Sequence, residues 1–593
     1  MPKKLLSASA RSTLAIEKSV LNWLKPEVVS SVIIHVEMKD NLERLVKDFV
    51  KAEFGQDIAP VFVRTDEVHG DFSCNVAMRI AGKLNKNPRE IADLVVVELK
   101  KSKDVAEVNI AGPGFINIRL KDGMIFKSAM GANSLKKELD DQEIVAEYSD
   151  PNAFKVLHGG HLYTSLVGDA IANILETSGA NVHRVNFGGD VGLHVAKTMW
   201  AIINELGGEL SDKLSEIDDI KKLEWVSEKY VQGNDAYDED ESAKEQITDI
   251  NHRIYDIHSS GDKTSDFAKI YWKCRQWSYD GFDALYKRLN MHPFEKYYPE
   301  SSVFEVGRNT VKEQTGKVYK ESDGAVIFEG EKYGLFTQVF INSEGLPTYA
   351  GKDVGLIFAK YADFKFDKSY MITDISQKDH IAVVLKSIEQ FEPNLAKNTI
   401  HQAHGRIRLL GGQKMSSRKG NILKADDILD SAYSAYEGDK NNADDAVLGA
   451  VRYSFLKIRI GSDIVYDPKE SVNLEGNSGP YLQYALVRAR SILRKAESVK
   501  SLESSENLDE HERRLAFKLS EFSDAFDLAL SDYSPHHICN YLYELAVVFN
   551  RFYENSRVLD GDRVELRVAL VRSYEQVLSK GLSILGMPQP EQM

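Results

Sequence analysis

Apolar residues recur at helical spacing over most of this chain, and short alternating runs break the pattern at a few places. Val167, Ala170, Ile171 and Ile174 fall at i, i+3, i+4 and i+7, which predicts a helix that stops at Gly179. The apolar run Ile144 to Tyr148 precedes it as a strand. From Glu143 the order strand, loop, helix, strand therefore predicts βαβ units in a parallel sheet. Up to about residue 125, helical stretches mix with short strands and end in VNIAGPGFINIRL (Val108 to Leu120), whose Gly-Pro-Gly marks a turn. A compact α+β domain is expected there. From about residue 475 the spacing is helical again, with Leu482, Ala485, Ala489 and Ile492, then Leu542, Leu545, Phe549 and Phe552. That predicts a helical bundle, with Ser534 and Pro535 starting its later helix. Between about 195 and 345 the regularity is interrupted, and the acidic run Asn234 to Gln246 reads as a solvated loop or insertion.

The chain has 593 residues, enough for three to five domains at roughly 100–200 residues each. With 43% apolar and 28% charged residues it has the composition of a folded globular protein. A formal net charge of -15 argues against coating nucleic acid through bulk charge, yet leaves a local RNA surface open. Cys74, Cys274 and Cys539 are too far apart in sequence for a disulfide framework or a CxxC zinc site, and a reducing cytoplasm is expected. No run approaches the roughly 20 apolar residues of a membrane span, and Met1 to Leu24 reads as an amphipathic first helix.

Two stretches carry candidate chemistry. The first is the loop SDPNAFKVLHGGH, where the strand hands over to the helix. Unpaired N–H groups and a partial positive charge gather at such a helix start, which suits phosphate oxygens. Gly159 and Gly160 remove side chains that would hold a nucleotide away. The loop is neither GxGxxG nor a P-loop, and its HxxH spacing could alternatively serve a metal if further ligands stood nearby. The second stretch is KMSSRKG, Lys414 to Gly420. Three cations, two hydroxyls and a glycine fit a clamp on a triphosphate, because charge growing on departing pyrophosphate is best met by fixed cations. Read alone, it is more readily a solvated basic loop.

Together and in this order, His158-x-Gly160-His161 and KMSSR resemble the paired signatures of class I aminoacyl-tRNA synthetases. Further blocks sharpen the resemblance to the arginyl-tRNA synthetase family. They are EYSDPNAFKVLHGGHL, GGDVG (188–192), PTYAGKD (347–353), DISQKDH (374–380), SGPYLQYALVRA (478–489), FNRFY (549–553) and the final LGMPQPEQM. The resemblance runs essentially end to end. It implies an α/β fold: a Rossmann-like parallel-sheet catalytic domain with insertions, an N-terminal α+β domain and a C-terminal all-helical bundle. The implied limits are 1–125 for the N-terminal domain and its tRNA elbow contact, and 126–410 for the catalytic domain, with insertions at about 195–260 and 295–345. Residues 411–475 then form a signature-loop and stem-contact region, and 476–593 the anticodon-binding bundle.

By the same resemblance the activity is ATP-dependent ligation of L-arginine to tRNA(Arg) through arginyl-adenylate. Mg2+ travels on the triphosphate, and a cytoplasmic monomer with no membrane association is the family default. His158, His161, Lys414 and Lys155 are implied as the catalytic groups. Gly159, Gly160, His161, His404, Lys414, Met415 and Ser416 are implied at ATP. Glu147, Asn152, Tyr349, Asp353 and Gln377 are implied at arginine, with Asp353 as partner of the planar guanidinium fork. Phe115, Asn117, Arg488 and Arg490 are implied at tRNA, with Arg494 and Lys495 extending the basic cluster, and no dedicated metal site is expected. Three departures stand out: Gly159 replaces a larger apolar residue, which predicts a looser loop, Ser417 replaces a lysine, and Val191 and His194 alter the GGDVG neighbourhood. Rival readings are a cysteine-specific relative, a noncatalytic RNA-binding relative and a metal hydrolase using HxxH.

Overall fold

The structure, a computed structural model, describes residues 37–65, 69–218, 221–409, 423–500, 502, 504–505 and 507–593. The amphipathic Met1 to Leu24 stretch and the KMSSRKG motif, with Lys414, Met415 and Ser416, lie outside the described residues. The chain divides into two compact units.

One unit joins the described residues up to Lys136 with Ala485–Asp527 and Tyr541–Lys580. Its sheet is antiparallel, with β1 (Phe62–Arg64), β2 (Phe72–Cys74), β3 (Val105–Ala111) and β4 (Phe115–Leu120) in the order β1-β2-β4-β3. Gly112 and Gly114, at φ 54° and 139°, make the β3–β4 turn that Gly-Pro-Gly predicts. Alternation along β4 buries Ile116, Ile118 and Leu120 and turns Phe115, Asn117 and Arg119 outward. Helix Glu510–Leu519 brings Arg513 onto Asp71 at 2.8 Å and Asp122 at 3.0 Å. Segments far apart in sequence thus share one unit, and this guanidinium draws its carboxylates from the N-terminal part.

The second unit, Lys137–Tyr484 with Leu528–Asn540 and Gly581–Met593, holds the parallel sheet. Its strands are β5 (Glu143–Glu147), β6 (Asn181–Gly188), β7 (Lys296–Pro299), β11 (Lys368–Asp374) and β12 (Thr399–His404). All pairings are parallel, in the order β12-β11-β5-β6-β7. The chain winds outward from β5 first one way and then the other, so the crevice at the carboxyl end of β5 is the topological switch point, where ligands of such sheets sit. A three-stranded antiparallel sheet, β8 (Lys320–Ser322), β9 (Ala325–Phe328) and β10 (Gln338–Ile341), is inserted before β11. Parallel pairing of β13 (Ile407–Leu409) with β14 (Ile464–Tyr466) follows β12.

The acidic run expected as a loop is mostly helical. Helix Lys222–Glu239 ends within it, and Asp240 caps helix Glu241–Ser260 by accepting from Ser242 N at 2.8 Å. The reason is long-range: Val226, Ile247, Ile250 and Ile254 bury an apolar face against helix Asp266–Arg288, and the acids take the opposite face. Helix Gly159–Thr177 is buried almost throughout. Its Asp169 meets the fully buried Arg452, whose other N–H groups donate to the carbonyls of Leu585 at 2.9 Å and Leu289 at 2.8 Å.

Candidate active site

β5 ends at Glu147, and the loop that follows is held in an unusual backbone. Ser149, Asp150 and Phe154 take φ of 76°, 50° and 66°, left-handed conformations that side chains rarely adopt. Their surroundings impose them. Asp150 Oδ1 accepts from Phe187 N at 2.8 Å, Asn152 Oδ1 accepts from Gly189 N at 3.0 Å, and Phe154 N donates to Ser278 Oγ at 2.9 Å. The GGDVG block thereby supports the loop. Val191 is fully buried and His194 lies against the Gly189 carbonyl at 3.3 Å, so the departures there are filled by packing.

The loop closes on the two histidines. His158 is the N-cap of helix Gly159–Thr177; its Nδ1 accepts from His161 N at 3.4 Å, and its own N–H donates to His161 Nδ1 at 3.3 Å. The rings stack 3.8 Å apart at 14°. Because both Nδ1 atoms accept, each neutral ring carries its proton on Nε2 and can donate it outward. Both rings are neutral near pH 7. Burial, then the Lys155 ammonium, bring His158 down to about 4, and burial, then the neighbouring His158, hold His161 well below the usual range.

Gly160 is required by this geometry, since a Cβ there would stand 2.8 Å from His158 Cε1. Gly159 does not loosen the loop. The space a larger side chain would take is occupied by Ile428 and Ile407, whose methyls lie 3.2 and 3.3 Å from a Cβ built on Gly159.

A distant segment returns to the same loop. Leu423, three residues after KMSSRKG, accepts from Gly159 N at 2.9 Å, and Ala425 N donates to Leu157 O at 3.0 Å around a His158–Lys424 antiparallel bridge. His404, at the end of β12, is fully buried beneath. Its Nε2 meets Thr164 Oγ1 at 2.6 Å and its Nδ1 the Gly405 carbonyl at 2.7 Å, which places it as a support of the helix start. Lys155 rests over the Tyr230 ring, 3.9 Å from its centroid.

Across the carboxyl end of β5 the polarity reverses. Glu147 is buried and accepts from Lys360 Nζ, which also donates to Ser369 Oγ at 3.1 Å; burial pushes this carboxyl up and Lys360 opposes it. Glu300 pairs with Lys352 at 2.5 Å, and the Lys352 ammonium lies 5.3 Å from the ring centre of the exposed Tyr349. Asp353, on helix Tyr349–Phe364, is 6% exposed. Its ion-pair partner among the described residues is His380 Nε2 at 2.5 Å, and Gln338 Nε2 stands 2.5 Å from His380 Nδ1. Gln377 is exposed at the end of a short 3-10 turn. His380, Gln338, Lys352 and Tyr230 were not singled out by sequence; only DISQKDH and PTYAGKD, which contain His380 and Lys352, flagged their neighbourhood.

In the other unit Phe115, 41% exposed, and Asn117 share the outer face of β4. Arg488 donates to Asn550 Oδ1 at 2.9 Å and Arg490 pairs with Glu575 at 3.0 Å, so both half-buried guanidiniums are engaged inside the bundle, while Arg494 and Lys495 are exposed. No helix among the described residues is long and apolar enough to cross a membrane.

A doubly wound sheet whose first strand feeds a His-x-Gly-His helix start, with the distant segment Leu423–Ala425 paired to it, defines the catalytic domain of a class I aminoacyl-tRNA synthetase. The family model for class I (R) tRNA synthetases, catalytic domain, matches residues 126–457. The arginyl tRNA synthetase N terminal domain matches 36–120, and the DALR anticodon binding domain 482–593. The chain belongs to the class I arginyl-tRNA synthetase family. It is 30% identical to the arginine–tRNA ligase of Borreliella afzelii over 85% of this chain and 90% of that one, and 30% identical to that of Bdellovibrio bacteriovorus over 94% and 98%. The structure of Thermus thermophilus arginyl-tRNA synthetase is similar at TM-score 0.76 and 25% identity, covering 94% of this chain and 100% of that one.

Proposed function

We propose that this chain charges tRNA(Arg) with L-arginine in two ATP-dependent steps. An arginine carboxylate oxygen attacks the α-phosphorus of ATP, and the bond from that phosphorus to the bridging oxygen breaks. Pyrophosphate leaves with the electron pair, giving arginyl-adenylate. A ribose hydroxyl of the terminal adenosine of tRNA then attacks the carbonyl carbon, AMP departs, and the hydroxyl proton is lost. Little covalent work falls to the protein, so rate comes from alignment and from charge stabilisation.

In this reading His158 and His161 donate Nε2–H to the phosphates, Gly160 lets the nucleotide approach, and Lys155 and Lys414 supply cations to the leaving pyrophosphate. His404 acts beneath them through Thr164. Asp353 takes the guanidinium, with Tyr349 and Gln377 beside it, and Glu147 and Asn152 shape the α-amino end. Magnesium, carried on phosphate oxygens, would neutralise the triphosphate. Phe115 and Asn117 offer a ring and an amide to an unstacked RNA base.

The observation that carries this reading is the backbone pairing of Leu423 and Ala425 with Gly159 and Leu157, because it ties the flank of the second signature to the first. The test is pyrophosphate exchange into ATP with each of the twenty amino acids, with and without tRNA. Arginine should support it best; preferred exchange with any other amino acid refutes the specificity.

A further inference from the structure

Three residues on one face of the inserted helix Lys222–Glu239 reach the groups that flank both signatures. Glu224 pairs with Lys424 at 2.5 Å, Ser227 Oγ accepts from Val156 N at 3.4 Å, and the Tyr230 ring lies 3.9 Å from Lys155 Nζ. Successive spacings of three put positions 224, 227 and 230 on one side of the helix. That side is fixed in place by the opposite one. Val226 is fully buried in the insertion core, and Gly233 packs so closely that a Cβ would stand 1.9 Å from the Lys197 carbonyl oxygen.

A lysine ammonium on its four-carbon stem samples many rotamers, whereas an aromatic face offers it one shallow well at little cost in hydration. The same ammonium depresses the basicity of His158, His161 and His194, so its charge is felt at the two signature histidines. We propose that Tyr230 is a positioning residue for Lys155, its ring face holding the ammonium beside the His158–His161 pair so that a cation is already in place when the triphosphate binds. Glu224 and Ser227 tie the helix that carries the ring to Lys424 and Val156. The inserted helix thereby sets the geometry of phosphate chemistry without touching substrate. This inference rests on the reading above that the loop meets the triphosphate.

The test is a double-mutant cycle in the full-length chain, read by arginine-dependent pyrophosphate exchange with Mg-ATP and tRNA present. Tyr230→Leu should lower kcat/KM for ATP about tenfold with KM for arginine unchanged, the size expected when one cation loses its alignment. Tyr230→Phe, which keeps the ring face, should stay within about twofold of wild type. Tyr230→Leu combined with Lys155→Ala should be no worse than Lys155→Ala alone. Tyr230 is half-buried, and Tyr230→Met replaces the leucine variant if that one fails to fold. Multiplying losses in the double variant, or a Tyr230→Phe loss equal to that of Tyr230→Leu, overturn the proposal while leaving the catalytic reading intact. An unimpaired Lys155→Ala overturns both this proposal and the role given to Lys155 above.

Discussion

The histidine loop and the acidic pocket behind it meet at the end of one strand, yet they are built on opposite electrostatics. On the loop side the ionisable groups nearest the helix start are imidazoles kept neutral by burial, so they offer dipoles and N–H donors. On the pocket side carboxylates are buried in quantity. Glu147 is answered by Lys360 and Glu300 by Lys352, but Asp353 is answered by His380 alone among the described residues. A buried carboxylate without a permanent cation is costly unless one arrives. In the proposed reading, the two acids paired with lysines shape the site, and Asp353 is the one that meets the incoming guanidinium. A planar guanidinium can satisfy it, whereas neutral citrulline or the point charge of lysine should lose several kcal/mol by leaving polar groups unmet.

The largest effect should come from removing that asymmetry. Asp353→Asn is expected to lower kcat/KM for arginine by about 3–5 kcal/mol, roughly two to four orders of magnitude, while KM for ATP holds. Exchange kinetics varying each substrate would decide it, and an ATP defect larger than the arginine defect would mean the two halves are wrongly assigned. On the loop side, His158→Ala removes both a donor and the helix cap. A loss of about 2.7–4 kcal/mol in the exchange rate constant is expected, with KM for arginine little changed.

Protonation offers a subtler contrast. The folded chain holds His158 at about 4 and His161 well below the usual histidine range, whereas an unfolded histidine titrates near 6.5. With the folded values depressed, the stability these groups contribute is present above about pH 6.5 and is lost as pH falls from there towards 4, where the unfolded chain takes up protons first. Thermal unfolding followed from pH 7.5 to 5 should show a falling midpoint, and the fall should shrink in His161→Gln; an equal slope in that variant would locate the effect elsewhere. The smallest change is expected at Gly159→Ala. Only the ends of two isoleucine side chains must shift, so stability and exchange should stay within about 1 kcal/mol of wild type. A large loss there would show that the neighbouring isoleucines cannot move.

Local chemistry explains which parts were readable in advance. The alternation of β4, the apolar run of β5, the period of helix Gly159–Thr177 and the Gly-Pro-Gly turn depend on neighbouring residues, and each appears where the pattern predicts it. The acidic run around Asp240 misled because its charges describe only the outward face of two helices. The inward face is set by partners such as Phe267 and Trp277, which lie further along the chain. The looseness expected at Gly159 failed for the same reason, since Ile407 and Ile428 approach from about 250 residues away.

By itself, then, the sequence determined the local elements, the signature histidines, the acids of the arginine blocks and the family they resemble, because residue type and short spacing carry that information. Tertiary structure alone decided which charges are already spent. It gave Lys360 to Glu147 and Lys352 to Glu300, left Asp353 with a histidine, turned both signature imidazoles neutral, and set Tyr230 under Lys155. Charge compensation is a matter of a few ångströms in space and of water excluded, and neither quantity is written along a chain.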